Sequence, residues 1–346
     1  MVVFSSNDYL GLAVHPAVRQ AAAESAMREG VGSTGSRHLS GCHAAIDALE
    51  EELAAFEGSA TATLAPSGFA ANLSVLQALG GEDCAIFSDE RNHASIIDGC
   101  RLSRGHVEVY AHRDLDDLEQ RLARTNRRPI VVSDTVFSMD GTVADVAGLY
   151  RLARSAGAWL VLDEAHATGV LGPGGRGAAA EAGLDPRDEQ VVRVVTLSKA
   201  LGASGGAVCA SAAVRSLLLQ RGRGLIFSTA PALPVVAAAR AALAVLRDTP
   251  ALVAELHTRA VRLRSLLSSL HPSGRTDMPI VPVLVGEADR TVALEGSLLA
   301  LGHLVQAIRP PTVPTGTSRL RIAVTAAHTD AEIDALAGDL RVLLAE

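Results

Sequence analysis

Between about Thr61 and Ser211 the hydrophobic positions follow two alternating patterns: short unbroken apolar runs, and longer stretches with apolar residues at helical spacing. The runs 61–65, 84–87, 107–110, 130–136, 159–162, 191–197 and 207–210 read as strands, most clearly 130–136, 159–162 and 191–197, where Val, Ile and Leu dominate without the strict polar alternation of a half-exposed strand. Between them, 68–79, 94–104, 115–124 and 145–156 read as helices. Strand and helix in alternation predict an α/β fold whose mostly parallel sheet is covered by helices on both faces. In such sheets ligands bind beyond the carboxyl ends of the strands.

Ahead of this block, His15-Pro16 opens a helical pattern that runs to Met27 and stops at Gly30, with proline in the first turn and glycine after the last. Gly32-Ser33-Thr34-Gly35-Ser36-Arg37 is too rich in glycine and hydroxyls for a regular element and reads as a loop. Ile46, Leu49, Leu53 and Phe56 then mark an amphipathic helix, with Asp47, Glu50, Glu51 and Glu52 expected on its polar face. After Phe227 the character changes: helices are expected over 237–247 and 252–270, short apolar runs at 280–285 and 320–324, and a last helix over 330–344. The expected organisation is an N-terminal segment 1–37, a large α/β domain 38–236 and a smaller C-terminal α+β domain 237–346.

Composition narrows the function. Hydrophobic residues make up 48% and charged residues 20% of the chain, a globular balance. The net charge of −7, without a long basic run, argues against a nucleic-acid partner. No CxxC spacing joins Cys42, Cys84, Cys100 and Cys209, so no metal site or disulfide framework is expected and a reducing compartment fits. The start lacks the charged and apolar regions of a signal peptide, and no run is apolar for long enough to span a bilayer. A cytoplasmic protein without a membrane partner is the expectation.

The 31 basic residues include a single lysine, Lys199, in Val194-Val195-Thr196-Leu197-Ser198-Lys199-Ala200-Leu201-Gly202. Arginine can supply charge anywhere. A lone lysine after a β-branched run is instead suited to an amine that loses its proton and forms an imine, although an exposed leftover lysine is the plain alternative. Asp163, in Asp163-Glu164-Ala165-His166, follows a predicted buried strand. A carboxylate there needs a cationic partner such as a protonated pyridine nitrogen, unless it caps a helix or pairs at the surface. A helicase reading of those four letters fails for want of a GxxxxGK[ST] loop. His93 is either a capping residue or a ring that stacks on a planar cofactor. Ser67-Gly68-Phe69 opens a helix directly after a strand, where free N–H groups suit a phosphate. Ser67, His93, Ser138, Asp163, His166 and Lys199 all fall at or shortly after predicted strand ends.

With these residues together, the chain resembles the α-oxoamine synthases, fold-type-I pyridoxal phosphate enzymes, from Phe4-Ser5-Ser6-Asn7-Asp8-Tyr9-Leu10-Gly11-Leu12 to Arg319-Leu320-Arg321-Ile322. The resemblance implies pyridoxal 5'-phosphate as cofactor, carried by Lys199 as a Schiff base. It implies Asp163 beside the pyridine nitrogen, His93 stacked on the ring, and His166 and Ser138 near the phenolic oxygen. Ser67, Gly68, Phe69 and Thr196 would bind the phosphate, with Ser228 and Thr229 contributed by the second subunit of a homodimer. Asn7 and Arg321 match positions that contact the substrate amino-acid carboxylate. The segments Gly32-Ser33-Thr34-Gly35-Ser36-Arg37 and Ile308-Arg309-Pro310-Pro311-Thr312-Val313-Pro314 look most like the branch serving biotin synthesis. That branch joins L-alanine to a pimeloyl thioester, carried by coenzyme A or an acyl carrier protein, and releases carbon dioxide and 8-amino-7-oxononanoate. The alternatives are another amino acid or acyl group, or a catalytically silent partner subunit. Two departures stand out: six residues precede Asn7 where family members commonly carry a longer arm that shapes acyl selectivity and the dimer contact, and His38 replaces an aliphatic residue.

Overall fold

The structure, a computed structural model, describes residues 1–345 and divides into two compact units. One comprises Leu12–Val136 and Ala144–Asp248; the other comprises Met1–Gly11, Phe137–Val143 and Thr249–Glu346. The expected boundary at 236/237 falls inside the continuous helix Leu233–Asp248, whose buried face (Val236, Ala239, Leu243 and Leu246) belongs to the first unit. Apolar periodicity carries no mark of a change of domain partner along one helix, so the division comes instead at its end. The two short segments assigned to the second unit had no signal in the pattern at all.

The first unit is built on a seven-stranded sheet in the order Thr61–Ala65, Gly206–Ala210, Val191–Thr196, Trp159–Asp163, Arg128–Asp134, Cys84–Asp89, His106–Tyr110. All neighbours are parallel except Gly206–Ala210, which runs antiparallel to both of its partners. Every apolar run expected as a strand is one, within two residues at either end. The runs are continuous because the central strands are buried on both faces, with Val192, Val194, Val161 and Val132 in one core cluster with Val75 and Leu76 of helix Gly68–Leu79. Helix Pro16–Glu29, which ends at Gly30 in the left-handed region (φ 88°), packs along helix Leu233–Asp248. Truncating one of the fully buried leucines of this core, such as Leu76, would cost about 2–5 kcal/mol.

Helix Ala44–Glu57 corrects one expectation. Glu50 does not lie on a solvent face; it is buried, pairs with Arg37 and accepts the N–H of Leu64 at 2.7 Å. Glu57, also buried, meets Arg193 of the sheet at 2.7 Å. Acidic letters on an amphipathic pattern do not reveal which of them have a basic partner waiting in the interior.

The second unit holds a three-stranded antiparallel sheet, Gln306–Ile308, Ser318–Ala323, Ile280–Gly286, with Val281, Val283, Leu320 and Ile322 packed against helices Ala251–Leu266 and Asp330–Ala345. Phe4 joins that core, and the chain start is tied down by a short parallel ladder, Val2–Val3 against His303–Leu304. Helix Ala288–Ala300 was not anticipated from the pattern. Among the described residues no helix is long and apolar enough to cross a membrane.

Candidate active site

Three parallel strands of the first unit end in carboxylates: Asp89, Asp134 and Asp163. Asp134 and Asp163 are register partners on adjacent strands and both are buried. Two carboxylates so placed cannot share the interior as charges at low cost. Burial, reinforced by the neighbouring Asp163 charge, holds Asp134 well above the usual carboxylate range. Asp134 accepts the backbone N–H of His93 at 2.6 Å, while Asn92 Oδ1 accepts the N–H of Asp134 at 2.8 Å. Asp163 receives two neutral donors, Ala165 N–H at 2.8 Å and Asn72 Nδ2 at 2.6 Å.

His93 caps helix Ala94–Leu102 through Nδ1, which accepts from Ser95 N at 3.2 Å and lies 2.7 Å from Ser95 Oγ. The Phe69 ring meets it edge-on, with centroids 6.3 Å apart. Burial lowers the His93 pKa from the ordinary histidine value; the Asp163 charge opposes this and Lys199 adds to it. The imidazole is therefore neutral at physiological pH.

Ser67 is the N-cap of helix Gly68–Leu79, its hydroxyl accepting Ala70 N–H at 3.0 Å. The other first-turn N–H groups have no helical acceptor. Gly206 allows this helix start to lie directly on the sheet: a Cβ there would stand 2.6 Å from Gly68 N. Thr196 comes to the same place from the end of its strand, its Oγ1 2.8 Å from Ser198 Oγ. Thr196 side-chain atoms lie 3.4 Å from where a Gly68 Cβ would be. Beyond Thr196 the chain makes a tight loop closed by Leu197 N–H to Gly205 O at 3.0 Å, and this loop presents Lys199 with Nζ 2.7 Å from His166 Nε2. Gly202 (φ +60°) is required in it, because a Cβ would fall 2.2 Å from Ala13 N. The turn bearing His166 is set by Glu164, whose carboxylate takes Ala178 and Ala179 N–H at 2.8 Å each and whose N–H meets Val194 O at 2.7 Å.

Ser228 and Thr229 follow the exposed Phe227. Thr229 bridges to Ser36, and Ala230 N–H donates to Gly35 O at 2.9 Å, so the glycine-rich loop is pinned along this segment. The remaining expected residues are gathered in the second unit. Arg321, on strand Ser318–Ala323, donates from Nη2 to Asn7 Oδ1 at 2.9 Å and from Nε to the carbonyl of Ser138 at 2.5 Å. Ser138 thus belongs with Asn7 and Arg321 in its unit, through its main chain. Beneath them Tyr9, fully buried, donates to Asn7 Oδ1 at 3.2 Å, and burial pushes its phenol up to about 12.

Sequence reasoning passed over Asn72, Ser95, Asp134, Glu164 and Tyr9. Asn72 had a signal: it is a polar residue among the buried Ala71, Val75 and Leu76 of its helix. Asp134 ends an apolar run in the same way as Asp163. Ser95 and Glu164 had none, since their partners are brought together only by folding.

A mostly parallel sheet with an anion-ready helix start, a buried acid and one lysine at its strand ends is consistent with a fold-type-I transferase of the pyridoxal phosphate kind, and the comparisons with known proteins show that class. The model of the aminotransferase class I and II family matches residues 1–340. The chain belongs to that family and, within it, to the α-oxoamine synthases. It is 47% identical over 337 residues to an 8-amino-7-oxononanoate synthase of Burkholderia mallei, covering 95% of this chain and 85% of that protein. The corresponding Burkholderia thailandensis protein is 47% identical over 342 residues, 96% of this chain and 86% of its own. Among solved structures, a Sphingomonas wittichii serine palmitoyltransferase superposes with a TM-score of 0.93 at 29% identity, covering 99% of this chain and 86% of its own. An 8-amino-7-oxononanoate synthase from Francisella tularensis gives 0.85 at 27% identity, covering 100% and 97%.

Proposed function

We infer that this chain is a pyridoxal-phosphate-dependent acyltransferase that condenses L-alanine with a pimeloyl thioester to 8-amino-7-oxononanoate, releasing carbon dioxide and the thiol. The 47% identity spanning 95% of the chain carries the choice of reaction. Backbone similarity runs higher to the serine palmitoyltransferase than to the Francisella enzyme. Branches of this family share a scaffold, and substrate choice is written in side chains.

The residues of the first unit fit the cofactor. Asp163 is a buried carboxylate whose oxygens take two neutral donors, Asn72 Nδ2 and Ala165 N–H, and a pyridinium N–H suits it as a charged partner. The Ser67-Gly68-Phe69 helix start with Thr196 offers N–H and hydroxyl donors for a phosphate. Pyridoxal phosphate, when bound, supplies an aldehyde for the Lys199 amine and a ring that takes up the electron pair released at the amino acid's Cα. In this reading Asp163 keeps the ring nitrogen protonated and His93 covers one ring face. His166 orients the Lys199 amine, which removes the alanine Cα proton and later returns one. Arg321 and Asn7 hold the alanine carboxylate, with the guanidinium already aimed by the Ser138 carbonyl. Ser228 and Thr229 serve the site of a second copy in a homodimer, and the enzyme works in the cytoplasm.

Purified protein should be yellow, with an imine absorption band that borohydride abolishes and that Lys199→Ala lacks. L-Alanine should perturb the band more than glycine or L-serine. A colourless protein that takes up no pyridoxal phosphate overturns the enzyme; preference for serine or glycine moves it to another branch.

A further inference from the structure

Helix Gly68–Leu79 carries Asn72 one turn beyond its start, 1% exposed among the buried Ala71, Val75 and Leu76. A carboxamide in such surroundings is costly unless its hydrogens are used. Both are used, Nδ2 lying 2.6 Å from Asp163 Oδ2 and 2.9 Å from Ser95 Oγ, while Oδ1 is buried with no hydrogen-bond partner among the described residues. The reverse orientation would aim the amide oxygen at a carboxylate, so chemistry fixes which end of the group points where.

The chain of bonds continues. Ser95 Oγ, having accepted from Asn72, is 2.7 Å from His93 Nδ1, which also accepts Ser95 N–H at 3.2 Å. A ring nitrogen that accepts a backbone N–H carries no proton, so the Ser95 hydroxyl donates to it and the imidazole proton sits on Nε2. Ser95 is 1% exposed, so water does not compete for these groups. Three elements are joined this way: the end of strand Trp159–Asp163, helix Gly68–Leu79 and the start of helix Ala94–Leu102.

We propose that Asn72 and Ser95 are positioning residues that act as one unit, holding Asp163 and His93 in register and fixing the His93 proton on Nε2. Resting on the reading that Asp163 and His93 face the cofactor, the inference adds that the acid below the ring nitrogen and the imidazole over the ring face are set by a single amide. Neither residue touches the reacting atoms. Their loss should therefore act through cofactor affinity and the His93 tautomer rather than through alanine binding.

The test uses the holoenzyme and the variants Ser95→Ala, Asn72→Ala and the double variant. For each, the pyridoxal phosphate dissociation constant and the KM for alanine are measured, and 15N spectra of histidine-labelled protein report the His93 tautomer. We expect each single variant to weaken cofactor binding about 5- to 30-fold, by loss of a buried hydrogen bond, with KM for alanine changed less than about 3-fold. The double variant should be no worse than the weaker-binding single one, because the two residues form one chain. His93 in Ser95→Ala should lose its single Nε2-protonated signature. Multiplicative losses in the double variant, or an unchanged His93 signature in Ser95→Ala, would overturn the proposal. Should Asn72→Ala fail to fold, the Ser95→Ala spectrum decides alone. Failure of the wild-type protein to bind pyridoxal phosphate would instead sink the cofactor reading itself.

Discussion

At the scale of single residues, the second unit fixes the pose of the arginine proposed above to hold the alanine carboxylate. Arg321 is 5% exposed and sends Nε and Nη2 to protein acceptors, Ser138 O and Asn7 Oδ1. Tyr9 supports the same carboxamide from below and hydrogen-bonds the guanidinium. Replacing Arg321 by lysine keeps the charge but loses the planar fork, so KM for alanine should rise by about 10- to 100-fold. Tyr9→Phe removes both of the phenol's buried hydrogen bonds, each worth about 1 kcal/mol, so its rise in KM should be about 5- to 30-fold with kcat nearly unchanged. Steady-state kinetics check both; a Tyr9→Phe effect confined to kcat would contradict the arrangement. Asn7 and Arg321 are singled out only because their motifs resemble a family, whereas Lys199 stands out by composition alone. Tyr9 sits inside one of those motifs, yet nothing in the letters separates a phenol that braces a neighbour from one that fills the core.

At the scale of elements, strands announced themselves and their partners did not. The run from Val191 to Thr196 is apolar apart from Arg193, which points to Glu57 rather than to solvent. Helix starts were equally legible where a cap preceded them, as at Ser67 and His93. The N-terminal ladder was not, because two residues pairing with His303–Leu304 leave no periodicity to read. This short element is fastened by His328, whose ring stacks on Phe4 at 4.2 Å and whose Nδ1 accepts Thr325 N–H at 3.0 Å. Nε2–H therefore donates to Val3 O at 3.1 Å. Burial lowers the His328 pKa below the ordinary histidine value. The unfolded chain accordingly takes up the proton first as pH falls, so the stability from this site is complete above about pH 6.5 and is lost below it. Hydrogen-exchange protection factors at Val2–Phe4, corrected for the intrinsic pH dependence of exchange, should fall between pH 7 and pH 5 more than in His328→Asn. Equal pH dependence in the two proteins would rule the ring out as the fastener.

At the scale of the whole molecule, the fold class was legible from alternation, while the division into units was not. Segment Phe137–Val143 leaves the sheet unit a few residues after Asp134, and Arg319 and Arg321 secure it by Asp140 and by the carbonyls of Met139 and Ser138. No local pattern foretells such an excursion, because it is fixed by arginines about 180 residues away in sequence. Leu39 and Phe227, 79% and 70% exposed, lie near the paired segments that carry Ser36 and Thr229. In the homodimer proposed above, a second copy would cover these side chains. Sedimentation should therefore show a dimer, and Leu39→Glu combined with Phe227→Glu should shift it towards monomer and weaken cofactor binding. A monomer with full cofactor affinity would contradict a shared site.

Whether Lys199 and its surroundings join alanine to a pimeloyl thioester is decided by one competition. Holoenzyme is given equal L-alanine, glycine and L-serine with pimeloyl thioester on coenzyme A, and in parallel on acyl carrier protein, and the products are identified by mass. 8-Amino-7-oxononanoate should be the main product, with one carbon dioxide released per thioester consumed and none formed by Lys199→Ala. A main product built on glycine or serine, or no condensation from a wild-type protein that carries its cofactor, would contradict that reaction.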